Sequence, residues 1–146
     1  MNHVTNKKLN NKGFSLVELI IVIAIMAVLI SVLAPQYLRY VERSREATDV
    51  DNVEVMISAI EMYSADPAEA VVTGTLTCTN GAVVASGAVG TDGTVADALD
   101  TNGIDPATLP AMESATFQNW TITFAAAGVT FSTGDNGPAL QTALGR

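Results

Sequence analysis

Glu18 is the residue whose chemistry is hardest to explain by solubility alone. It is the one charged residue in the apolar run 14–34, whose other polar residues are Ser15 and Ser31. A carboxylate inside a bilayer costs about 2.5–3.5 kcal/mol on insertion scales, so it usually has a partner or a function. The run contains no Lys, Arg or His that could pair with it. Glu18 therefore either lies at the membrane surface, where water solvates it, or finds a cationic partner outside its own helix.

The apolar run itself predicts a transmembrane helix. It has 21 residues, close to the ~20 that a helix needs to cross hydrocarbon. The alternative is a secretory signal cleaved near Ala34, but the length of the run and the Pro35 that follows argue against it. The orientation stays open, because three basic residues precede the run and three follow it closely. They are Lys7, Lys8 and Lys12, then Arg39, Arg43 and Arg45.

Composition excludes several classes of function. The 7 basic and 15 acidic residues give a net charge of −8, which disfavours a nucleic-acid partner because phosphate binding needs clustered Lys and Arg. One Cys and one His exclude a disulfide framework and a zinc site built from thiolates and imidazoles. No catalytic triad, P-loop or dinucleotide fingerprint is present. We therefore expect a protein that is not an enzyme and has no cofactor, with calcium as one weak exception.

The calcium candidate is a cluster of oxygen ligands in the region 91–116, which is rich in Asp, Gly, Thr and Pro. Calcium prefers carboxylate and carbonyl oxygens on a tight loop. The spacing does not complete an EF-hand, and the same composition is typical of an ordinary solvated loop. The candidate ligands are Asp97, Asp100, Asn102 and Asp105.

Helical periodicity continues beyond the apolar run to about residue 65. One apolar stripe recurs at spacings of three and four residues, and an acidic stripe runs beside it. The apolar stripe is Val50, Val53, Ile57 and Ile60, and its neighbour is Asp51, Glu54, Ser58 and Glu61. Asp66-Pro67 is expected to end the helix. Pro35 either bends the helix or ends it early.

The rest of the chain predicts a small antiparallel sheet, so the fold class is α+β. Strands 71–79 and 82–89 flank Asn80-Gly81, which suits a type I′ hairpin. Alternation over 120–124 and a turn before 129–131 indicate a second hairpin. We also expect a short helix at 95–99 and a loop at 133–138. Cys78 is predicted to be a buried core residue, with an intermolecular thiol as the alternative.

The N-terminal residues resemble those of type IV prepilins and the related pseudopilins of type II secretion. The matching residues are Lys12, Gly13, Phe14, Glu18 and Pro35, together with the basic leader and the uninterrupted apolar run. The resemblance implies cleavage between Gly13 and Phe14 by a prepilin peptidase, followed by N-methylation of Phe14. It also implies that Glu18 of one subunit pairs with the Phe14 amine of its neighbour during assembly.

The resemblance divides the chain into four parts. These are a leader at 1–13, a transmembrane and polymerisation helix at 14–35, its amphipathic continuation at 36–65, and a β-sheet head at 66–146. The long helix is expected to pack its second half against the head. The implied protein is a homo-oligomeric helical filament, membrane-inserted in a single pass before assembly machinery moves it to the cell surface.

Three functional alternatives remain at this point. A major-type pilin of a surface filament is the first, a type II secretion or competence pseudopilin is the second, and a membrane-tethered binding protein or enzyme is the third. The lone Cys78 rules out the intrachain disulfide that many Gram-negative pilins carry, which favours a Gram-positive, clostridium-like pilin.

Overall fold

The computed structural model describes residues 13–132 and 135–146. Most of the predicted leader therefore lies outside the described residues, including Lys12. The helices and strands are α1 (Leu16–Ala65), β1 (Gly74–Thr79), β2 (Ala82–Ala85), α2 (Val95–Thr101), β3 (Trp120–Ala125), β4 (Gly128–Phe131) and α3 (Gly137–Ala143). The α+β prediction is confirmed.

Helix α1 continues through Pro35, so the alternative that this proline ends the helix is wrong. A proline removes one backbone donor but not the helical dihedral angles. The Pro35 carbonyl accepts a hydrogen bond from Nε of Arg39 at 3.3 Å. The predicted end near Ala65 is confirmed, and the helix begins at Leu16 rather than at Phe14.

Contacts divide the chain into two compact units, one ending at Arg39 and one beginning at Tyr40. In the first unit, every described residue is exposed. The most apolar 18-residue window has a mean hydropathy of 3.1 and no buried residue. By length and composition this stretch of α1 is able to cross a membrane.

The second unit holds a four-stranded antiparallel sheet in the order β2-β1-β3-β4. Asn80 and Gly81 join β1 to β2 with positive φ angles of 49° and 82°, as a type I′ turn requires. Both strands are shorter than predicted. Ser86 Oγ accepts a hydrogen bond from the Thr75 backbone at 2.7 Å, and Gly87 then turns the chain away with φ 95°.

The core of this unit forms where the apolar stripe of α1 meets one face of the sheet. Val53 and Ile57 of α1 belong to the same buried cluster as Leu76 of β1 and Ile122 of β3. The four members of the predicted acidic stripe are all exposed. Cys78 is 2% exposed and belongs to this cluster, as the core interpretation predicts.

Two short helices complete the unit. α2 confirms the predicted helix and extends it to Thr101, and Thr94 caps it by accepting a hydrogen bond from Asp97 N at 3.2 Å. Residues 133–134 of the predicted loop at 133–138 lie outside the described residues, and the end of the prediction is wrong because α3 begins at Gly137. Pro138 in the first turn suits a helix start, and fully buried Leu140 anchors α3 to the core.

Candidate assembly site and the acidic clamp on α1

Glu18 lies in the first turn of α1, and its side chain reaches back toward the helix start. Its Oε2 atom accepts a hydrogen bond from the Ser15 backbone at 2.8 Å. Ser15 and Glu18 therefore form one half of a capping box, in which an acid three residues into the helix satisfies a free backbone donor. The positive end of the helix dipole favours the same position. The carboxylate is thus held one residue away from Phe14.

Gly13 and Phe14 are open to solvent. Phe14 is 87% exposed, and a Cβ atom added at Gly13 would meet no heavy atom within 4 Å. The described residues contain no ion pair to Glu18. The structure therefore places Gly13, Phe14 and Glu18 together at one exposed end of the helix.

Pro35 also belongs to the prepilin resemblance and was expected to take part in assembly, but the structure does not bring it to the same place. It lies about 25 Å further along α1 at 1.5 Å per residue. Its side chain is exposed, and the Arg39 guanidinium covers its carbonyl. Pro35 is thus separate from the Glu18 end of the helix.

A second set of acids on α1 was missed by sequence reasoning. Asp49 is 1% exposed, and its two oxygens accept hydrogen bonds from the backbone N–H groups of Glu113 at 3.0 Å and Ser114 at 2.8 Å. Consecutive backbone N–H groups form a small anion-binding concavity. The Asp49 carboxylate fills it.

Two further acids extend this contact along the helix. Glu42 accepts a hydrogen bond from the Ala115 backbone, and Glu46 accepts one from the Thr116 hydroxyl. We call Glu42, Glu46 and Asp49 the acidic clamp, since together they hold the loop 113–116 on α1. Their spacing of four and three residues places them on one face of the helix. This spacing was the one feature of the sequence that could have indicated a shared contact.

Tyr63 joins the end of α1 to the loop before α2. Its hydroxyl donates to Asp92 Oδ1 at 2.7 Å and lies 3.0 Å from Asp97 Oδ2. The hydrogen bond to Asp92, then burial, raise the pKa of Tyr63 above its usual value. The same bond, with one from the Ala70 backbone, lowers the pKa of Asp92.

The four calcium candidates do not converge. Asp97 is turned toward Tyr63 and also accepts from the Gly90 backbone. Asn102 Nδ2 donates to two carbonyls, one on α1 and one on α2, at 3.1 and 2.9 Å. Asp105 accepts from its own following turn, and Asp100 is exposed. Across residues 13–132 and 135–146, no three His, Cys, Asp or Glu side chains form a group suited to a metal ion.

The N-terminal sequence matches a family model described as the prokaryotic N-terminal methylation motif, over residues 8–34. The chain is 41% identical over 59 residues to a type IV major fimbrial protein, FimA, of Dichelobacter nodosus. That match covers 40% of this chain and 38% of the relative. Gly13, Phe14 and Glu18 all lie inside the matched motif, and Pro35 follows it directly.

A longer match is to the fimbrial protein EcpC of Eikenella corrodens. It is 33% identical over 100 residues, which is 64% of this chain and 65% of the relative. The chain thus matches between about a third and two thirds of the length of these curated relatives. No solved structure matches the chain. Both relatives are named as fimbrial proteins.

Proposed function

We propose that this chain, a member of the type IV pilin family by its N-terminal methylation motif and its similarity to fimbrial proteins, is the structural subunit of a type IV pilus. Its role is that of a major-type pilin, which polymerises through the first half of α1. The head 66–146 and the amphipathic half 36–65 then face outward from the filament.

The observation that carries the proposal is the complete exposure of the first half of α1. None of its most apolar 18-residue window is buried within the chain. Removing an apolar surface of this extent from water is strongly favourable, because burial stabilises by about 25 cal/mol per Å². A bilayer supplies that cover to the single subunit, and the same helices of other copies supply it in a filament.

Processing prepares the helix for assembly. A prepilin peptidase cuts the leader 1–13 between Gly13 and Phe14 and methylates the new amine, leaving 14–35 as the transmembrane and polymerisation segment. The cut removes three lysines and leaves Arg39, Arg43, Arg45 and Arg146 against 15 acids. The mature subunit is therefore strongly acidic, and its filament has an acidic surface.

The new amine gives Glu18 the cationic partner that its own helix lacks. The capping hydrogen bond to Ser15 already holds the carboxylate beside the residue that becomes the N-terminus. In the filament, Glu18 of one copy pairs with the Phe14 amine of the next. A buried ion pair of this kind fixes register, since its loss leaves an uncompensated charge.

The sharpest test is mass spectrometry of the N-terminus of the mature protein, combined with electron microscopy of the cell surface. We expect N-methylated Phe14 and long fibres that contain this chain. A mature chain that keeps residues 1–13, or starts elsewhere, would overturn the proposal. A methylated Phe14 without long fibres would instead support the pseudopilin alternative.

A further inference from the structure

One face of α1 carries an apolar groove whose rim is acidic. The groove has a volume of about 630 Å³, and Asp51, Glu54, Val55, Met62 and Ile104 are among the residues that line it. Val55 is 60% exposed and Met62 is 66% exposed. Two large apolar side chains, separated by two helical turns, therefore face solvent beside two acids that form no ion pair within residues 13–132 and 135–146. We call this surface the α1 groove.

The basic residues of the described chain are few, and most have a local partner. Arg146 pairs with Glu61, Arg45 lies 4.0 Å from Glu42, and Arg39 donates to the Pro35 carbonyl. Arg43 is exposed and has no carboxylate within 4.0 Å among residues 13–132 and 135–146. It is the guanidinium left available for a partner molecule.

Among residues 13–132 and 135–146, Arg43 forms no ion pair with the acids of the α1 groove on its own chain. Asp51 and Glu54 lie about 12 and 16 Å further along the same helix at 1.5 Å per residue. Along α1, the positive charge of Arg43 thus lies before the groove, and the negative charges of Asp51 and Glu54 lie at its rim. Two parallel copies displaced along their axes would bring these opposite charges together.

We propose that the α1 groove binds the Arg43 surface of a second copy of this chain. The guanidinium of one copy lies between Asp51 and Glu54 of the other. Its aliphatic stem and the exposed ring of Tyr40 lie against Val55, as long basic side chains commonly cover apolar surface. The groove is thereby a lateral contact between subunits, separate from the contact at Glu18.

The register of the proposed filament agrees with this contact, which rests on the proposed function. Pairing of Glu18 with the next copy's Phe14 displaces that copy by four residues, or about 6 Å, toward the C-terminal end of α1. Successive copies would carry Arg43 to the levels of residues 47, 51 and 55. Arg43 of the second and third copies thus reaches the level of the α1 groove. A displacement of the copies toward the N-terminal end of α1 would instead move Arg43 away from the groove.

Charge reversal tests the contact. We expect Arg43→Glu to lower filament yield at least tenfold, and the double variant Asp51→Arg/Glu54→Arg to do the same. Combining all three substitutions should restore the yield to within about threefold of the wild type, because the opposite charges are exchanged. The matched control is Asp100→Arg/Asp135→Arg, which makes the same change of charge at two exposed positions outside the groove and should assemble normally.

A cysteine pair tests proximity without changing the net charge of the chain, and the native Cys78 is buried. In filaments of Arg43→Cys/Glu54→Cys we expect disulfide-linked ladders on non-reducing gels, and none from either single variant. Normal yield of the reversed variants together with absence of ladders would overturn the contact while N-methyl-Phe14 and fibres still supported the pilin. Absence of wild-type fibres would reject both proposals.

Discussion

Asp49 on α1 accepts a hydrogen bond from the backbone N–H of Ser114 at 2.8 Å, across 65 residues of sequence. Both residues are almost completely buried. Its other oxygen binds the Glu113 backbone. The carboxylate is thus the buried member of the acidic clamp, and it ties the loop 113–116 to the helix that the sheet covers.

This contact makes Asp49→Asn a strong test of the clamp. The amide keeps one acceptor oxygen but turns an NH₂ group toward a backbone donor, leaving a buried N–H without a partner. We expect a loss of about 1–3 kcal/mol in the free energy of unfolding, measured by urea denaturation of the detergent-solubilised protein. The neighbouring, exposed Asp51→Asn is the control and should change stability by less than about 0.5 kcal/mol. Equal stability of the two variants would contradict a structural role for Asp49.

Tyr63 predicts a dependence of stability on alkaline pH. Its folded pKa is raised above the unfolded value of about 10, chiefly by the hydrogen bond to Asp92. The stabilisation is therefore complete below pH 10 and is lost as the pH rises above that value. We expect the melting temperature of the wild type to fall between pH 10 and 12, and that of Tyr63→Phe to fall less. Parallel curves for the two proteins would show that the hydroxyl contributes nothing.

Asp92 predicts the complementary effect in acid. Its folded pKa is lowered, first by Tyr63 and then by the Ala70 backbone. The stabilisation is present above the unfolded value near 3.9 and is lost as the pH falls through and below it. Asp92→Asn should have a flatter melting profile than the wild type between pH 5 and 2. A control is Asp100→Asn, whose exposed side chain makes none of these contacts and should leave the profile unchanged.

The parts of the fold that follow from local pattern could be predicted from the sequence. The alternation of three and four residues placed Val53 and Ile57 in the core and Asp51 and Glu54 in solvent, as observed. Asn80-Gly81 specified its turn because both residues adopt positive φ. In each case the determining physics acts within a few residues.

The parts that depend on distant contacts could not be predicted. Asp49 and its neighbour Asp51 are both aspartates. Asp49 is buried because it accepts hydrogen bonds from the loop 113–116, whereas Asp51 is exposed. α3 has only seven residues, too few to show a helical periodicity of apolar residues. The fully buried side chain of Leu140 anchors it. At the candidate assembly site, a linear sequence motif identified Gly13, Phe14 and Glu18, whereas the capping hydrogen bond to Ser15 could be seen only in the structure.

Gly13→Ala is a clean test of processing, because the substitution is not expected to disturb the fold. The added methyl group meets nothing within 4 Å, and Gly13 does not have the positive φ at which a side chain is strained. We expect the variant to accumulate as uncleaved precursor, at least tenfold reduced in mature chain on immunoblots, with unchanged melting temperature. Normal cleavage of the variant would show that the peptidase does not require glycine at position 13.

Glu18 offers a comparison that separates its charge from its capping role. Glu18→Gln keeps an oxygen that accepts from the Ser15 backbone but removes the negative charge, whereas Glu18→Ala removes both. If Glu18 pairs with the Phe14 amine of a neighbour, both variants should be cleaved normally and both should assemble at least tenfold less well, since removing one partner of a buried pair costs about 3–5 kcal/mol. The measurements are N-terminal mass spectrometry and filament yield by shearing. If Glu18→Gln assembled like the wild type while Glu18→Ala did not, the residue would serve as a helix cap, and the intermolecular pair would be rejected.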